Sequence, residues 1–497
     1  MTKRVDVVIA GSGAAGMLAA IRTAESGLSC VLLEKGRSIA SSNAARCGGP
    51  ALAQTRLQER EGETVTAERL FSHMYGFSRG TVNAGLLRAA IDKGREAEAI
   101  FVKNGLRMTL LEDSYGVGFR ARHFFLDPPV KRWTPLADAF RAAGGELLFE
   151  REAFRVLLSG GKAAGLLARN LRTGEEERYE ADAVIVATGG FLGSDELLRA
   201  HFGDIFVNPL GSRLSDGAGL RMLTEAGGME ERAFGICANE FGGSNHLLGS
   251  RGRRSSPHLR YAVYGGLLLN RQGRRFVNEQ LLSDHALSAG GEAALREGVF
   301  YALLDDETYA RLQTEPPYRV YGEPEEWHVG KRCLNTPPDA ADSEGELRKD
   351  IEEGWAFRAE SLSALAAQTG LTALPETVAA YNAACRAGHD GRFGKAPYLL
   401  REIGAGPYTL FQYEPSAWCT FGGVRTDAFC RVLTRAQEPI PGLYAAGVDA
   451  GSCYTVPYYD NEGAAVGLAF GLGLVAADDA VRYCREAASR GKTGETA

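Results

Sequence analysis

Three tyrosines stand directly before a segment of helical composition, within the stretch SCYTVPYYDNEGAAVG at 452–467. A phenol beside a helix N-terminus can polarise a carbonyl group, because the hydroxyl and the free N–H groups of the first turn can donate to the same oxygen. Aromatic packing beside the start of the helix is the alternative interpretation of Tyr454, Tyr458 and Tyr459. The choice between catalysis and packing depends on what else the chain binds.

A glycine-rich turn early in the chain predicts a dinucleotide. The run VDVVIA at 5–10 is rich in β-branched residues, which is typical of a buried parallel strand. The turn GSGAAG at 11–16 follows, then a helical segment that ends at Gly27, and then a second apolar run at 30–33 that leads into Glu34. The order of strand, glycine turn, helix, strand and acidic residue predicts a dinucleotide-binding unit.

Each of these residues has a physical role in that prediction. Gly11 allows the tight turn, Gly13 lets the backbone approach a pyrophosphate, and Gly16 lets the helix pack closely on the strand. The free N–H groups of the helix N-terminus and the helix dipole favour the phosphates. Glu34 can accept hydrogen bonds from the hydroxyl groups of a ribose.

Three later stretches indicate which dinucleotide binds. The run AVIVATGG at 183–190 is typical of a buried strand that ends in a turn of small residues, and TFGG at 420–423 precedes PGLYAAG at 441–447. Together they look like the two-part frame of FAD-binding oxidoreductases, in which a C-terminal segment returns to close over the flavin. A simple nicotinamide dehydrogenase has no need of that return, so we expect FAD.

Composition narrows the class of protein. The chain has 497 residues and a net charge of −6, with no long basic stripe, so we expect no nucleic-acid partner. Its nine cysteines include no CxxC pair, which argues against a zinc site, an iron–sulfur cluster and a disulfide framework, and we expect no metal. We find no export signal and no apolar stretch of about 20 residues, and so expect no membrane association and a cytoplasmic location.

As an ordered set, the motifs resemble those of the fumarate reductase and 3-ketosteroid dehydrogenase superfamily of FAD-dependent oxidoreductases. The set consists of GSGAAG, NAARCGGPA at 43–51, ATGGF at 187–191, SDGAG at 215–219, GGLLLNRQGRRFVNE at 265–279 and PIPGLYAAG at 439–447. The resemblance is closer to the ketone desaturases of the ketosteroid dehydrogenase type.

The resemblance implies an α/β fold with a Rossmann-like FAD-binding domain in two segments, 1–232 and 405–497. An α+β capping domain at 233–404 would be inserted between them and hold the substrate against the flavin. Within the insertion, the composition of 347–370 predicts helix. FAD would be bound non-covalently, since no histidine attachment motif stands near the glycine turn. The implied cofactor contacts are Gly11, Gly13, Ala14, Ala15, Gly16, Glu34, Lys35, Ser42, Asn43, Gly48, Gly49, Ala187, Thr188, Gly189, Asp216, Gly447, Ala464 and Val466.

The chain departs from the fumarate reductases at two places. Their arginine acid, four residues after the Glu of an RFVNE-like motif, falls on Ser283 here, and a serine cannot replace a guanidinium as a proton-delivering cation. Their Asn-Arg pair, which grips a dicarboxylate, falls on Pro457 and Tyr458. Both departures argue against fumarate as the substrate.

The 3-ketosteroid dehydrogenases match the tyrosine stretch better. They carry a tyrosine and, four residues later, a glycine, which correspond to Tyr459 and Gly463. In that family the phenol and the glycine N–H bind the ketone oxygen of the substrate, and Tyr458 would shape or assist the site. The family's proton-abstracting tyrosine falls on Ser283, so the base must lie elsewhere, and the candidates are His285, Asp284, Tyr264, Tyr261, Tyr408 and His123.

We therefore expect an FAD-dependent desaturase that introduces a carbon–carbon double bond next to the carbonyl of a cyclic ketone, with hydride passing to flavin N5. The ring would be a 3-ketosteroid or a smaller oxocyclohexane carboxylate, and oxygen or an external electron acceptor would reoxidise the flavin. Two alternatives stay open: an FAD-dependent ene reductase of the fumarate or urocanate reductase type, and a non-catalytic FAD electron-transfer subunit. A substrate carboxylate could be held by Arg251, Arg253, Arg254 and Arg260.

Overall fold

The computed structural model describes residues 2–113, 117–204, 207–237, 240–243, 256–264, 266–284, 289–322 and 343–494. Several candidates from the sequence fall outside that description. Among the candidate bases these are His285 and the side chains of Asp284 and Tyr264, the latter at the end of the helix Tyr261–Tyr264. Among the candidate carboxylate ligands they are Arg251, Arg253, Arg254 and the side chain of Arg260.

Within the described residues, eight strands form a first sheet around Thr2–Ala10. This strand pairs in parallel with Cys30–Glu34 on one side and with Glu176–Val186 on the other. Its residues from Val7 onward are buried, as expected for a parallel strand covered on both faces. The other strands of the sheet are Glu146–Phe149, Arg151–Ser159, Lys162–Asn170, Arg431–Leu433 and Pro439–Ala445.

Two helices pack against each other beside this sheet. Ala14–Glu25 follows the glycine turn, and Ala464–Gly494 follows the tyrosine stretch. A Cβ atom at Gly473 would lie 2.2 Å from the backbone oxygen of Ala15, so only glycine allows this close crossing. The second helix is long and apolar enough to cross a membrane, a feature that the search for an apolar stretch in the sequence missed. However, 78% of its most apolar window is buried inside the protein, as in a core helix.

A second sheet of six described strands has Tyr408–Ala417 at its centre. Its other strands are Asn208–Pro209, Glu240–Gly243, Leu267–Leu269, Phe300–Asp305 and Ala356–Ala359. The expected boundary between 404 and 405 assigns Tyr408–Ala417 to the FAD-binding domain, whereas its hydrogen bonds continue the second sheet. We therefore propose that the insertion extends to about residue 417.

The segment 347–370 is not one helix, contrary to the prediction. Its parts belong to the helix Ser343–Glu352, the strand Ala356–Ala359 and the helix Leu362–Thr369. Gly354 has a φ of 79°, a left-handed conformation that favours the end of the first helix. The side chain of Ser361 accepts the N–H of Ala364 and so caps the second helix.

The remaining described elements connect the two sheets or cover them. The strands Met108–Leu110 and His123–Phe125 form one pair, and Gly235–Ile236 and Thr420–Phe421 form another. The other α-helices are Arg56–Arg60, Ala67–Phe77, Ala84–Asp92, Gly94–Lys103, Pro129–Ala142, Asp195–Phe202, Ala218–Glu225, Gln280–Asp284, Ala289–Glu297, Asp306–Leu312, Pro317–Tyr321 and Leu374–Arg386.

Candidate active site

A cavity of about 410 Å³ lies at the carboxyl ends of the parallel strands of the first sheet. Ligands of open α/β sheets bind at this position, because the loops that follow the strands leave a crevice there. The wall includes the residues that directly follow four of the strands, namely Gly11, Lys35, Ala187 and Ala446. The strands therefore bring together the separate motifs that the sequence analysis assigned to a dinucleotide.

The glycine turn has the shape that a pyrophosphate requires. Gly11 has a φ of 97°, and a Cβ atom there would lie 2.3 Å from the backbone oxygen of Ala187. A Cβ atom at Gly13 would instead enter open space, with Ser42 Cβ as its nearest neighbour at 3.9 Å. Because Gly13 lines the cavity at the N-terminus of Ala14–Glu25, a phosphate can approach the backbone at this point. The turn therefore fits FAD.

Glu34 is buried at one part of the cavity wall and organises the turn. One of its carboxylate oxygens accepts the N–H of Ser12 at 3.0 Å and the hydroxyl of Ser12 at 2.6 Å. The other accepts the N–H of Gly36 at 2.6 Å. Glu34 thus holds the loops after two neighbouring strands in place beside the cavity.

Lys35 forms a charged cluster next to Glu34. Its Nζ lies 2.6 Å from Asp216 Oδ2 and 2.7 Å from Glu152 Oε1, and all three residues line the cavity. Partial burial alone would lower the pKa of Lys35, but the two carboxylates together raise it above its usual value. The ammonium group therefore stays charged and links the end of the strand Cys30–Glu34 to Asp216 and Glu152.

Asp449 closes the frame from the C-terminal segment, and the sequence analysis did not identify it. Its side chain is 1% exposed, and Oδ2 accepts the Thr188 hydroxyl at 3.0 Å, the Gly189 N–H at 3.2 Å and also the Thr188 N–H. Burial raises the pKa of Asp449, and these hydrogen bonds oppose that rise. The sequence did offer a signal for this residue, since Asp449 stands two residues after the PGLYAAG motif.

Asn43 joins two loops at the cavity wall. Its Nδ2 donates to the backbone oxygen of Trp418 at 2.7 Å, and its Oδ1 accepts the N–H of Ser212. Trp418, Ser212 and Asn43 all line the cavity. The asparagine of the NAARCGGPA motif therefore fixes the wall as well as contributing to its surface.

The three tyrosines of the C-terminal stretch have different environments. Tyr458 lines the cavity, stacks on Phe421 with a centroid distance of 5.3 Å, and accepts the backbone N–H of Ala465 at 2.9 Å. Tyr459 is fully buried, and its hydroxyl donates to the backbone oxygen of Cys453 at 3.1 Å. Tyr454 also stacks on Phe421, with a distance of 5.4 Å between the ring centroids.

This arrangement does not support the role expected of Tyr459. The cavity wall does not include Tyr459, and its hydroxyl is occupied by a backbone carbonyl, so it cannot donate to a substrate ketone in this conformation. Tyr458 is the tyrosine of this stretch that lines the cavity instead. Gly463, at a φ of 82° directly before the helix Ala464–Gly494, lines the cavity as expected.

Arg122 contributes a cation to the cavity wall beside Gly48, and sequence reasoning missed it. A Cβ atom at Gly463 would lie 2.4 Å from Nη1 of Arg122, and a Cβ atom at Gly48 would lie 2.6 Å from Nη2. The guanidinium therefore lies between the two glycines. Its Nε is buried and has no hydrogen-bond partner among the described residues. Arg122 is held there by backbone pairing with Ala51. No local pattern in the sequence marks such an isolated arginine.

His123, one of the candidate bases, has a structural environment. It is fully buried, its Nδ1 lies 2.8 Å from the Ala121 backbone oxygen, and its Nε2 lies 2.7 Å from the Thr55 hydroxyl. Burial lowers the pKa of His123 to about 4. Two more candidates lie away from the cavity: the hydroxyl of Tyr261 accepts from Gln313, and that of Tyr408 donates to the Gly404 backbone oxygen. None of the three is placed to act on a substrate in the cavity.

Most of the predicted cofactor contacts line the cavity, namely Gly11, Gly13, Ala14, Ala15, Glu34, Lys35, Ser42, Asn43, Gly48, Ala187, Thr188, Gly189, Asp216, Gly447 and Val466. Gly16, Gly49 and Ala464 do not line it. Gly16 packs against the turn, where a Cβ atom would lie 1.8 Å from the backbone oxygen of Gly11. As contacts to FAD, all of these residues stay predictions. Within the described residues, no group of three or more His, Cys, Asp and Glu side chains could hold a metal ion.

Comparison with known proteins gives a consistent set of relatives. The sequence pattern of the FAD binding domain matches residues 6–466. The chain is 26% identical to the vinyl phenol reductase of Lactiplantibacillus plantarum over 97% of both proteins, and 27% identical to the fumarate reductase (cytochrome) of Shewanella frigidimarina over 97% of this chain and 78% of that protein. A 3-ketosteroid delta1-dehydrogenase from Sterolibacterium denitrificans, solved with 1,4-androstadiene-3,17-dione, shares the fold with a TM-score of 0.71 and 17% identity, over 97% of this chain and 100% of that chain.

Proposed function

The chain belongs to the FAD binding domain family and is an FAD-dependent oxidoreductase of the fumarate reductase and ketosteroid dehydrogenase type, and we propose that it reduces a carbon–carbon double bond conjugated to an oxygen-bearing group of a small organic molecule. This proposal prefers reduction to desaturation, whereas the sequence analysis preferred desaturation. The reason is the position of Tyr459, on which the desaturase interpretation depended.

The observation that carries the proposal is the group of three donors at one end of the cavity. The phenol of Tyr458, the backbone N–H of Gly463 and the guanidinium of Arg122 all belong to the wall around Gly48. When hydride adds to one end of a conjugated double bond, negative charge moves onto the conjugated oxygen. Fixed donors and a cation that face this oxygen stabilise the charge as it develops, and so accelerate the reaction.

The cavity also suggests how FAD would lie. The pyrophosphate would sit at Gly13 and the helix N-terminus, and a ribose would sit at Glu34. The flavin ring would then occupy the opposite end, where the wall consists of Gly48, Arg122, Tyr458 and the segment 462–466. When bound there, FAD supplies the hydride for the reduction.

Tyr458 has the properties of a proton donor. Its oxygen accepts the N–H of Ala465, so the phenolic proton is directed to another acceptor. Burial raises the pKa of Tyr458 well above its usual value, so the phenol keeps its proton and remains a hydrogen-bond donor. A protonated phenol can hydrogen bond to the developing enolate or donate its proton to the adjacent carbon.

A specific observation keeps the desaturase as the second candidate. Tyr458 and Gly463 both line the cavity, and a phenol together with an amide N–H is the donor pair expected for a ketone oxygen. Glu462 also lines the cavity and offers a carboxylate that could remove the proton next to the ketone. The same residues could then support the reaction in the opposite direction on a cyclic ketone, with oxygen or an external acceptor taking the electrons.

The direction is tested by anaerobic absorbance of the FAD-loaded enzyme. Enzyme reduced with one equivalent of dithionite is mixed with a panel of enones, unsaturated carboxylic acids and vinyl phenols, and the return of the oxidised flavin band is followed. Rapid return with one class, and formation of the saturated product, is the expected result. If oxidised enzyme is instead bleached by saturated cyclic ketones and no unsaturated compound reoxidises it, the desaturase is correct. If neither occurs, the electron-transfer subunit is favoured over both.

A further inference from the structure

Two cysteines face each other across a short pair of strands in the cavity wall. The strand Gly235–Ile236 pairs antiparallel with Thr420–Phe421, with Ile236 opposite Thr420. Cys237 follows the first strand and Cys419 precedes the second, so the two cysteines lie next to each other at the end of this pair of strands. The N–H of Cys237 donates to the backbone oxygen of Cys419 at 2.9 Å, and the backbone oxygen of Cys237 accepts the N–H of Trp418 at 3.4 Å, so Cys237 lies directly across from these two residues.

Residues on adjacent antiparallel strands at such a position have the spacing that a disulfide needs. Opposite residues of an antiparallel pair have Cα atoms about 4.5 to 5.5 Å apart and side chains on the same face of the strands. Disulfides occur at Cα separations of about 4.4 to 6.8 Å.

The pair lies at the end of the cavity where the donors converge. Cys237 and Cys419 both line the cavity, together with Trp418 and Tyr458. The pKa of Tyr458 is raised by its burial and further by the charge that either cysteine would carry as a thiolate, which reflects how near both sulfur atoms are to the phenol. The pairs Cys30 with Cys484 and Cys430 with Cys453 are also neighbours, but these four residues do not line the cavity.

We propose that Cys237 and Cys419 form a redox site that exchanges two electrons with bound FAD. In this step two S–H bonds break and one S–S bond forms between the cysteines. The two thiols give up two electrons and two protons, and oxidised FAD takes them up as the reduced cofactor; the reverse step cleaves the disulfide. The inference goes beyond the proposed reduction of a double bond and requires only that FAD binds in the cavity.

The consequence is that the protein stores a second pair of electrons next to the flavin. At equilibrium, the difference between the reduction potentials of the cysteine pair and the flavin sets the ratio of reduced pair to reduced flavin. In this two-electron exchange, a change of about 30 mV in that difference changes the ratio tenfold. A disulfide would also join the segment that enters the second sheet to the segment that leaves it. The redox state of the pair would thus be coupled to the cavity wall itself.

The test is a reductive titration of the FAD-loaded protein, after mild oxidation with diamide and its removal. Dithionite is added anaerobically with a viologen mediator, and the number of electrons taken up for each flavin is counted from the absorbance. Wild-type protein is expected to take up about four electrons, two in the flavin and two in the disulfide. Cys237→Ser and Cys419→Ser should each take up about two electrons. Cys385 is half-buried and does not line the cavity, so Cys385→Ser should behave as wild type.

A second measurement on the wild-type protein keeps the test independent of how the variants fold. Non-reducing peptide mapping of the oxidised protein should show the peptides of Cys237 and Cys419 linked, and the link should disappear after full reduction. Uptake of about two electrons by oxidised wild type, or alkylation of both thiols in that sample, would overturn the proposal. So would a disulfide that joins either residue to Cys47, the other cysteine of the wall. None of these outcomes depends on whether a substrate has been found.

Discussion

The hydroxyl oxygen of Tyr458 lies 2.9 Å from the backbone nitrogen of Ala465 and accepts its N–H in the first turn of the helix Ala464–Gly494. This bond fixes the phenol in the cavity wall, next to a helix N-terminus that favours negative charge. The hydroxyl of the adjacent Tyr459 instead donates to the backbone oxygen of Cys453 in its own loop. Two neighbouring tyrosines therefore divide into one that faces the cavity and one that holds the loop.

That division gives the first prediction. Tyr458→Phe removes the phenol that faces the cavity, and we expect the rate of flavin reoxidation by the substrate to fall by about 10²-fold or more, as for loss of a general acid. Tyr459→Phe removes an equivalent hydroxyl from the same loop and should cost about 1 kcal/mol of stability while leaving the rate nearly unchanged. Stopped-flow absorbance measures the rate. The assignment fails if Tyr459→Phe has the larger effect on it.

Arg122 carries the second prediction. Because its guanidinium lies between Gly48 and Gly463, Arg122→Gln should lower the rate of hydride transfer by about 10²- to 10³-fold. Arg122→Lys should recover only part of the rate, since an ammonium group lacks the planar fork of donors. Arg120→Gln is the matched control, because Arg120 pairs with Glu61 and does not line the cavity.

The flavin potential separates two roles for Arg122. If the guanidinium faces the substrate, Arg122→Gln should slow hydride transfer and leave the midpoint potential of the flavin close to that of wild type. If it faces the flavin, its loss should lower the midpoint potential, because a positive charge favours the reduced, more negative cofactor. A spectroelectrochemical titration of the substrate-free protein measures the potential. An unchanged rate together with an unchanged potential would contradict both roles.

The sequence predicted those parts of the molecule that depend on local pattern. The turn at 11–16, the strand before it and Glu34 after it are close in the chain, and at Gly11 the positive φ requires glycine. The expected superfamily, the α/β fold and FAD as the cofactor are confirmed by the family match over 6–466 and by the shared folds. These features needed no information about distant contacts.

Features set by distant contacts could not be predicted. Which of Tyr458 and Tyr459 faces the cavity is decided by the path of the loop between Cys453 and Ala465, and both residues fit the same sequence pattern. Arg122 reaches the cavity because its backbone pairs with Ala51, which is distant from it in the chain. The assignment of Tyr408–Ala417 to the second sheet likewise depends on strands more than 100 residues earlier in the chain.

Asp449 provides the third prediction, on cofactor affinity. Asp449→Ala leaves the N–H groups of Thr188 and Gly189 without their acceptor, which should cost about 1–3 kcal/mol of stability and weaken FAD binding. Asp449→Asn keeps one carbonyl oxygen and should have a smaller effect. Thermal unfolding with and without added FAD measures both quantities. Equal losses in the two variants would show that the charge of Asp449, and not its hydrogen bonds, maintains the frame.

The last prediction concerns pH and His123. The pKa of the buried imidazole is lowered from 6.5 to about 4, mainly because burial disfavours its charged form. Between these values the unfolded chain binds a proton that the folded chain does not, so His123 stabilises the fold fully above pH 6.5 and loses this contribution as the pH falls to about 4. The shift corresponds to about 3 kcal/mol of unfolding free energy.

Urea unfolding between pH 6.5 and about 4 should show a smaller loss of unfolding free energy in His123→Gln than in wild type. His389→Gln, at an exposed histidine, should follow wild type. An equal loss in His123→Gln would mean that the folded protein already carries the proton on His123, and that the bond between Thr55 and its Nε2 does not hold the neutral ring in place.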